Sequence, residues 1–334
     1  MKIRVAAVQM VSGPDVAANV EAAGRLVAQA AAQGAQGAQV VLLPEYFCLI
    51  SGNDRDKLGI QEVDAGEQPE ADTPLQHFLS VTARQHGITL LGGTVPLKSP
   101  KIHKICNSLL VYGPDGKRLA RYDKIHLFGF QRGEESYDES VAIHAGRTPV
   151  VVDVPVGAAA RAVARTGAAG GFASGDAVAG NAAARGAVPD DAALVRAVPM
   201  VSGNAGAGER EVASIRVGLS VCYDLRFPEL FRQMAPLDLM VMPAAFTYTT
   251  GQAHWELLLR ARAVEGQCWV LASGQGGTHP GSGRRTWGHS MLVDPWGEVC
   301  AVLPEGEGVV VADMDTERTA QVRESLPALR HRVI

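Results

Sequence analysis

The sequence predicts a layered α/β fold with mixed β-sheets. Short, fully apolar runs such as Val40–Leu43 have the length and composition of strands that are buried on both faces. Stretches with helical spacing of apolar residues alternate with these runs, and two hairpin signals add antiparallel strand pairs. At 334 residues and 47% hydrophobic composition, the chain can form one large domain or two smaller ones.

The first half of the chain alternates strands and helices. The first helix is predicted from its Ala-rich composition and from apolar residues at helical spacing, such as Ala23 and Val27, and it closes at Gly34 and Gly37. The segment Gly113–Gly116 reads Gly-Pro-Asp-Gly, a strong hairpin signal. The predicted strands are Ile3–Gln9, Val40–Leu43, Ile88–Leu91, Ile105–Tyr112 and Lys117–Asp123, and the predicted helices run from Asp15 to about Ala35 and over Pro74–His86.

The second half continues this alternation and ends in a second hairpin, whose turn is Pro295–Glu298. The predicted strands are Val150–Val154, Val217–Val221, Leu239–Met242, Trp269–Ala272, Ser290–Asp294 and Val299–Leu303, with a helix over His254–Glu265.

The segment from Gly157 to Ser214 interrupts the alternation. Its composition is dominated by Ala, Gly, Arg, Val and Asp, and Phe172 is its one aromatic residue. Because loops longer than about 15 residues are uncommon inside compact domains unless they are functional or disordered, we expect a flexible surface insertion. One short helix is expected near Asp191–Val198.

The charge balance excludes several classes of protein. With 31 basic and 35 acidic side chains, the net charge is -4, which argues against a nucleic-acid-binding protein. No apolar run reaches the about 20 residues that cross a bilayer, and the N-terminus lacks the pattern of a secretory signal. The five cysteines form no CxxC pair, so neither a disulfide framework nor a structural zinc site is predicted. We expect a soluble cytoplasmic protein.

Reactive side chains directly follow apolar strands at two places in the first half. Glu45 comes after Val40–Leu43 and Pro44, so its carboxyl group is predicted either to face a cleft or to lie at a helix start or on a surface loop. Lys124 follows a hairpin strand and is either held inward against a carboxylate or solvated. The neighbouring His126 is expected to be a structural histidine.

The third place is Cys222, between the strand Val217–Val221 and a short helix. Asp224 is a plausible cap of that helix, and Pro228 falls in its first turns. Backbone N–H groups and the positive end of a helix on such a turn lower the pKa of a thiol and can bind an oxyanion. The pattern therefore predicts a nucleophilic cysteine.

These blocks resemble the nitrilase superfamily of carbon–nitrogen hydrolases, in order and in spacing, over nearly the whole chain outside the insertion. The blocks that surround the three residues are LLPEYF, YDKIHLF and SVCYDLRFPEL. Further similar segments are VAAVQM, GGTVP at Gly92–Pro96, PAAFTYTTGQAHWELLLRARAVEGQCWVLA and GHSMLVDPWGEV.

The resemblance implies a mechanism. Glu45 would be the general base, Cys222 the nucleophile and Lys124 the cation that stabilises the tetrahedral intermediate. A second glutamate is expected at Glu139, with Glu134 and Glu135 as neighbouring alternatives. No metal or organic cofactor is implied.

The resemblance also implies an architecture, a four-layer α-β-β-α sandwich that forms one domain over residues 1–334. A homodimer or a higher homo-oligomer is expected as well. The insertion falls between two strands where members of the family have a short turn.

The substrate implied is a small acidic amide. Segments such as WGHSMLVDPWGEV look most like the branch of deaminated glutathione amidases, with the ω-amidases, another small amidase and a scaffold that has lost catalysis as alternatives. Arg226 is the leading candidate to hold a carboxylate, although it could instead brace Glu229 or an interface. The predicted pocket residues are Phe47, Tyr223, Arg226, Phe246 and Thr247. For His254, Trp255 and Arg260, which belong to a helical block, a role in packing or in dimer contacts is expected at least as much as a role in binding substrate.

Overall fold

Two large β-sheets stack face to face in the computed structural model, which describes residues 1–33, 37–133, 135–169 and 214–333. The strands of the chain are β1 (Lys2–Gln9), β2 (Val40–Leu42), β3 (Thr89–Leu91), β4 (Val95–Lys98), β5 (Ile105–Tyr112), β6 (Arg118–Asp123), β7 (Gly129–Arg132), β8 (Glu135–Asp138), β9 (Val150–Pro155), β10 (Ser214–Leu219), β11 (Leu239–Ala244), β12 (Trp269–Gly274), β13 (Gly276–Thr278), β14 (Arg285–Trp287), β15 (Ser290–Val293), β16 (Val299–Leu303) and β17 (Gly308–Asp315).

The helices are α1 (Val16–Ala32), α2 (Pro74–His86), α3 (Gly157–Ala169), α4 (Pro228–Met234), α5 (Tyr248–Gly266) and α6 (Thr316–Ser325). Short 3₁₀ segments span Asp54–Ile60, Glu139–Val141, Cys222–Arg226 and Ala328–Arg330. No helix in these described ranges combines the length and the apolar character needed to span a bilayer.

The first sheet has the strand order β17-β1-β2-β3-β5-β4, with β6 paired to β5. Its central strands β1, β2 and β3 are parallel. Along β1, Ile3 and Val5 pack into the core between the two sheets, while Ala6 and Val8 pack toward α1 and α2. Burial on both faces explains why the parallel strands read as continuous apolar runs.

The second sheet has the order β16-β15-β12-β11-β10-β9, with parallel β10, β11 and β12 at its centre. Helices α4 and α5 pack on it through Leu230, Trp255 and Leu259. The layers are therefore helices, sheet, sheet, helices, and the predicted α-β-β-α sandwich is confirmed.

Most predicted elements are present, with shifted ends. Helix α2 and strand β5 match the prediction at both ends, and both predicted hairpins form. Helix α5 begins six residues before the predicted His254, because the Thr247 side chain accepts a hydrogen bond from the Thr250 amide and caps the helix there. The β7–β8 hairpin was not predicted.

The segment from Gly157 to Ser214 differs from the expectation at its start. Its first thirteen residues form α3 rather than a flexible loop, and Ala164 on this helix lies beside Gly87 at the end of α2. The Ala-rich composition that suggested a flexible insertion is equally a helix-forming composition. The short helix expected near Asp191–Val198 lies outside the described residues.

Candidate active site

Strand ends from both sheets bring Glu45, Lys124 and Cys222 together. Glu45 follows β2, Lys124 follows β6, and Cys222 comes three residues after β10. All three side chains are buried, and Lys124 has no exposed surface at all. The three-residue cluster that the sequence suggested is therefore one buried site, joined by Glu139.

The Lys124 ammonium group lies between two carboxylates. Its Nζ atom is 2.9 Å from Glu45 Oε1 and 2.8 and 2.7 Å from the two carboxylate oxygens of Glu139. Burial disfavours the charged lysine, but the two negative charges outweigh it and raise the pKa of Lys124 well above its ordinary value. The lysine therefore stays a cation across the physiological pH range.

Glu45 is held by two further donors. The Asn107 side-chain amide donates to Oε1 at 3.0 Å, and the backbone N–H of Ala245 donates to Oε2 at 3.0 Å. Burial raises the pKa of Glu45, and the nearby Lys124 charge opposes this effect. Asn107 was missed by the sequence analysis because a single asparagine inside the apolar strand β5 carries no distinctive pattern.

Both oxygens of Glu139 also accept other hydrogen bonds. The Tyr46 hydroxyl donates to Oε1 and the Phe128 backbone N–H to Oε2, each at 2.7 Å. Among the three glutamates considered, Glu139 is the one at the lysine. Glu135 instead accepts from the Thr249 hydroxyl at 3.0 Å, and Glu134 lies outside the described residues.

The turn that carries Cys222 is anchored by Asp224. Cys222 opens a 3₁₀ segment in the left-handed backbone region, with φ of 52°, which few residues other than glycine adopt. The fully buried Asp224 carboxylate accepts from the Val221 backbone at 2.8 Å and from the Tyr122 hydroxyl at 2.7 Å. His126 contacts the same carboxylate through its backbone N–H and Nδ1, so it has the structural placement expected of it.

The expected lowering of the thiol pKa is wrong. Burial, followed by the negative charge of Glu45, raises the pKa of Cys222 well above that of a free thiol, although Lys124 opposes the change. The local turn amides do not overcome these two effects. The raised pKa favours the protonated thiol, and the Glu45 carboxylate, which lines the same pocket, is the nearby base that can take its proton.

A pocket opens over this cluster. Its walls include the predicted residues Tyr223, Phe246 and Thr247, and its full lining is Glu45, Phe128, Glu139, Cys222, Tyr223, Ala245, Phe246, Thr247, Thr250 and Arg284. Within the described part of the chain, no group of three or more His, Cys, Asp or Glu side chains could hold a metal ion.

Phe47 does not line the pocket. It has no exposed surface and packs in the core between the first sheet and its helices, where its ring stacks with Phe78 at 6.2 Å. Its neighbour Tyr46 points to the site instead and contacts Glu139. The positive φ of Tyr46, 56°, turns the chain there, and no pattern in the sequence distinguishes the aromatic residue that faces the site.

Arg226 lies beside the pocket rather than in its lining. Its Nη1 is 3.3 Å from His254 Nδ1, and its guanidinium lies 5.4 Å from the centre of the Phe246 ring. Two further residues of helix α5, for which packing was one of the expected roles, hydrogen-bond to backbone carbonyls of neighbouring segments. Trp255 donates to the His289 carbonyl at 2.9 Å, and Arg260 donates to the Gly297 carbonyl at 2.8 Å.

Arg284 is a pocket residue that the sequence analysis missed. It lies in the loop between β13 and β14, next to Arg285, in a Gly- and Ser-rich stretch without helical or strand spacing. Two adjacent arginines in such a loop are usually read as surface charges. One of them here turns inward.

Comparisons with known proteins agree with the sandwich. The model of the carbon-nitrogen hydrolase family matches residues 4–173 and 182–324. A deaminated glutathione amidase of Synechocystis is 33% identical and covers 98% of this chain and 97% of its own. An omega-amidase of Xenopus tropicalis is 31% identical over 99% of this chain and 95% of its own.

Solved structures show the same likeness. A Saccharomyces cerevisiae protein, described as a member of branch 10 of the nitrilase superfamily, superposes with a TM-score of 0.73 at 27% identity. The match covers all of this chain and 97% of the yeast protein.

Proposed function

The chain belongs to the carbon–nitrogen hydrolase family and is a hydrolase of non-peptide C–N bonds, and we propose that it cleaves the amide of a small acid through a thioester on Cys222. One observation carries the proposal. A buried thiol and a buried carboxylate, Cys222 and Glu45, line one pocket, and the Lys124 ammonium group lies directly behind that carboxylate, 2.9 Å from its Oε1. Nucleophile, base and cation are the three groups that acyl transfer requires.

The first half of the reaction forms the thioester. Glu45 takes the thiol proton while Cys222 Sγ attacks the amide carbonyl carbon, and the C=O electron pair becomes an oxyanion. Lys124 and the backbone N–H of Tyr223 stabilise that oxyanion. Glu45 then returns its proton to the leaving nitrogen as the C–N bond breaks, so the amine departs neutral.

The second half releases the acid. Glu45 removes a proton from a water molecule that attacks the thioester carbonyl, and the C–S bond breaks to regenerate the protonated thiol and a carboxylic acid. In both halves of the reaction, Glu139 positions Lys124 by its two short contacts to Nζ.

The charge of the cluster supports this sequence of steps. At rest Glu45, Glu139 and Lys124 sum to one negative charge. In the intermediate Glu45 is neutral, and Glu139, Lys124 and the oxyanion again sum to one negative charge. The positive charge of Lys124, which stabilised the Glu45 carboxylate at rest, then stabilises the oxyanion. Because no net charge has to be created in a buried site, the main desolvation cost of forming the intermediate is avoided.

The preferred substrate in this proposal is deaminated glutathione, hydrolysed to 2-oxoglutarate and cysteinylglycine. The full-length similarity to proteins named deaminated glutathione amidase supports it. The second candidate is ω-amidase activity on α-ketoglutaramate, which proteins named omega-amidase at 30–31% identity support. A cytoplasmic homodimer is part of the same proposal and rests on the resemblance.

The test compares both substrates side by side. 2-Oxoglutarate release is measured from deaminated glutathione and from α-ketoglutaramate, with the wild type and with Cys222→Ala. A higher kcat/KM for deaminated glutathione that the variant loses is the expected result. The reverse preference makes the protein an ω-amidase. Inactivity of the wild type on both substrates overturns the proposed substrate class and favours another small amidase or a non-catalytic scaffold.

A further inference from the structure

The catalytic cluster leaves no cation for an acidic substrate. Lys124 makes all three of its close contacts with Glu45 and Glu139, and the cluster as a whole carries one negative charge. A substrate carboxylate that enters such a pocket is repelled unless a second cation faces it. The pocket lining contains one, Arg284.

Arg284 has a donor without a partner. Its Nε atom is buried and makes no hydrogen bond with any of the described residues, although a buried unpaired donor of this kind costs free energy. Within the described ranges, no carboxylate lies at ion-pairing distance from its guanidinium, whereas the neighbouring Arg285 pairs with Glu305 at 2.9 Å. A planar guanidinium that lines the pocket without a carboxylate partner is well suited to bind a carboxylate with two hydrogen bonds.

Several contacts hold the Arg284 side chain in place. Nη2 donates to the Ala245 carbonyl at 3.1 Å, and the amide of the same residue donates to Glu45. On another side the guanidinium lies 5.0 Å from the centre of the Tyr137 ring, on the β7–β8 hairpin. The arginine is thus fixed relative to the general base before any ligand enters.

The loop itself is also fixed. The backbone N–H of His279 donates to the Arg284 carbonyl at 2.8 Å. Both ring nitrogens of His279 have partners at 2.8 Å, the Ser12 carbonyl and the Thr286 hydroxyl. A preorganised cation loses little conformational entropy when it binds an anion.

We propose that Arg284, rather than the predicted Arg226, recognises a carboxylate of the substrate in the catalytic pocket. Arg226 already contacts His254 and lies outside the pocket lining. The inference deepens the proposed function and rests on it. The carboxylate belongs either to the acyl half of the substrate or to the leaving half, and both supply the same chemistry.

Three amides separate these sources. Glutaramate carries a carboxylate on the acyl half, pentanoyl-cysteinylglycine carries one on the leaving half, and pentanamide carries none. The measurement is the ratio of kcat/KM for each charged amide to that for pentanamide. We compare the wild type, Arg284→Gln, Arg284→Lys, Arg226→Gln and the exposed control Arg285→Gln.

In Arg284→Gln, one of the two ratios is expected to fall by about 10- to 100-fold, the effect of losing a charge-assisted hydrogen-bonded pair. The ratio that falls identifies the half that carries the bound carboxylate. Arg284→Lys should recover part of the loss, because the charge remains but the planar fork does not. Ratios unchanged in Arg284→Gln, or lowered by Arg226→Gln instead, overturn the inference.

A binding measurement keeps this inference distinct from the proposed function. Calorimetry measures the Kd values of 2-oxoglutarate and of cysteinylglycine for the wild type and the same variants, without turnover. A Kd for one of them raised about 10- to 100-fold in Arg284→Gln and unchanged in Arg285→Gln supports the inference even if the amides are not hydrolysed. Failure of the wild type to bind either compound, or equal binding by Arg284→Gln, contradicts it.

Discussion

Replacing Glu139 with Gln removes a negative charge from the cluster without changing its size. Glu45 and Glu139 each have an oxygen within 2.9 Å of Lys124 Nζ, so these two oxygens lie less than about 6 Å apart. At an effective dielectric constant of about 20, two such charges repel each other by about 3 kcal/mol. This repulsion is among the effects that raise the pKa of Glu45, after burial.

The variant therefore has two expected effects. The general base must be ionised, so the acid limb of the kcat/KM profile follows the pKa of Glu45 and should move to lower pH by about one to two pH units. At the same time kcat should fall by about 10² to 10³, because Lys124 loses its charged partner and one of the two contacts that aim it at the oxyanion.

The assay is the pH dependence of kcat and kcat/KM, and Glu135→Gln, on the strand β8 that directly precedes Glu139, is the matched control. Glu135 contacts Thr249 rather than Lys124, so its replacement should change kcat by less than about 5-fold and leave the acid limb in place. An acid limb that moves to higher pH in Glu139→Gln would refute the electrostatic reasoning. A large loss of kcat in Glu135→Gln, together with a normal kcat in Glu139→Gln, would make Glu135 the second glutamate.

Three other substitutions test separate parts of the structure. Lys124→Ala should lower kcat by about 10² to 10³, and an unchanged kcat removes Lys124 from the mechanism. Circular dichroism must show that the variant is folded, because buried carboxylates left without their cation destabilise the fold by about 3–5 kcal/mol. Phe47→Ala should cost about 3–5 kcal/mol in urea unfolding, with KM unchanged in the folded fraction, whereas a raised KM at normal stability would return Phe47 to the pocket. Burial lowers the pKa of His279 from 6.5 to about 4, so the unfolded chain binds the proton more tightly than the folded chain. The free energy of unfolding that is linked to the neutral His279 is therefore fully present above pH 6.5 and is lost as the pH falls toward 4. The wild type should therefore lose about 2 kcal/mol more than His279→Gln between pH 7 and pH 5, and equal losses would contradict the assignment.

The strands and the catalytic cluster were predictable because each has a local cause in the sequence. Strands such as β2 are buried on both faces and therefore consist of apolar runs, and Glu45 and Cys222 come shortly after such runs, whereas Lys124 follows the half-exposed hairpin strand β6. The helix at Gly157 was missed because Ala-rich composition suits a flexible insertion and a helix equally.

The pocket walls were harder to predict, because side-chain direction depends on contacts distant in sequence. Phe47 and Tyr46 are adjacent aromatics, and only the turn at Tyr46 decides which one faces the site. Arg284 is brought inward by the Ala245 carbonyl, 39 residues away. The raised pKa of Cys222 likewise comes from burial and from Glu45, which belong to the assembled fold rather than to the Cys222 turn.

The proposed reaction carries an acyl group on Cys222. The most direct measurement is intact-protein mass spectrometry of samples quenched with acid during turnover of deaminated glutathione and α-ketoglutaramate, followed by peptide mapping. An added mass equal to that of the acyl group is expected on Cys222, absent in Cys222→Ala and lost when the substrate is exhausted. Turnover by Cys222→Ala, or an acyl group on another of the cysteines, would contradict it.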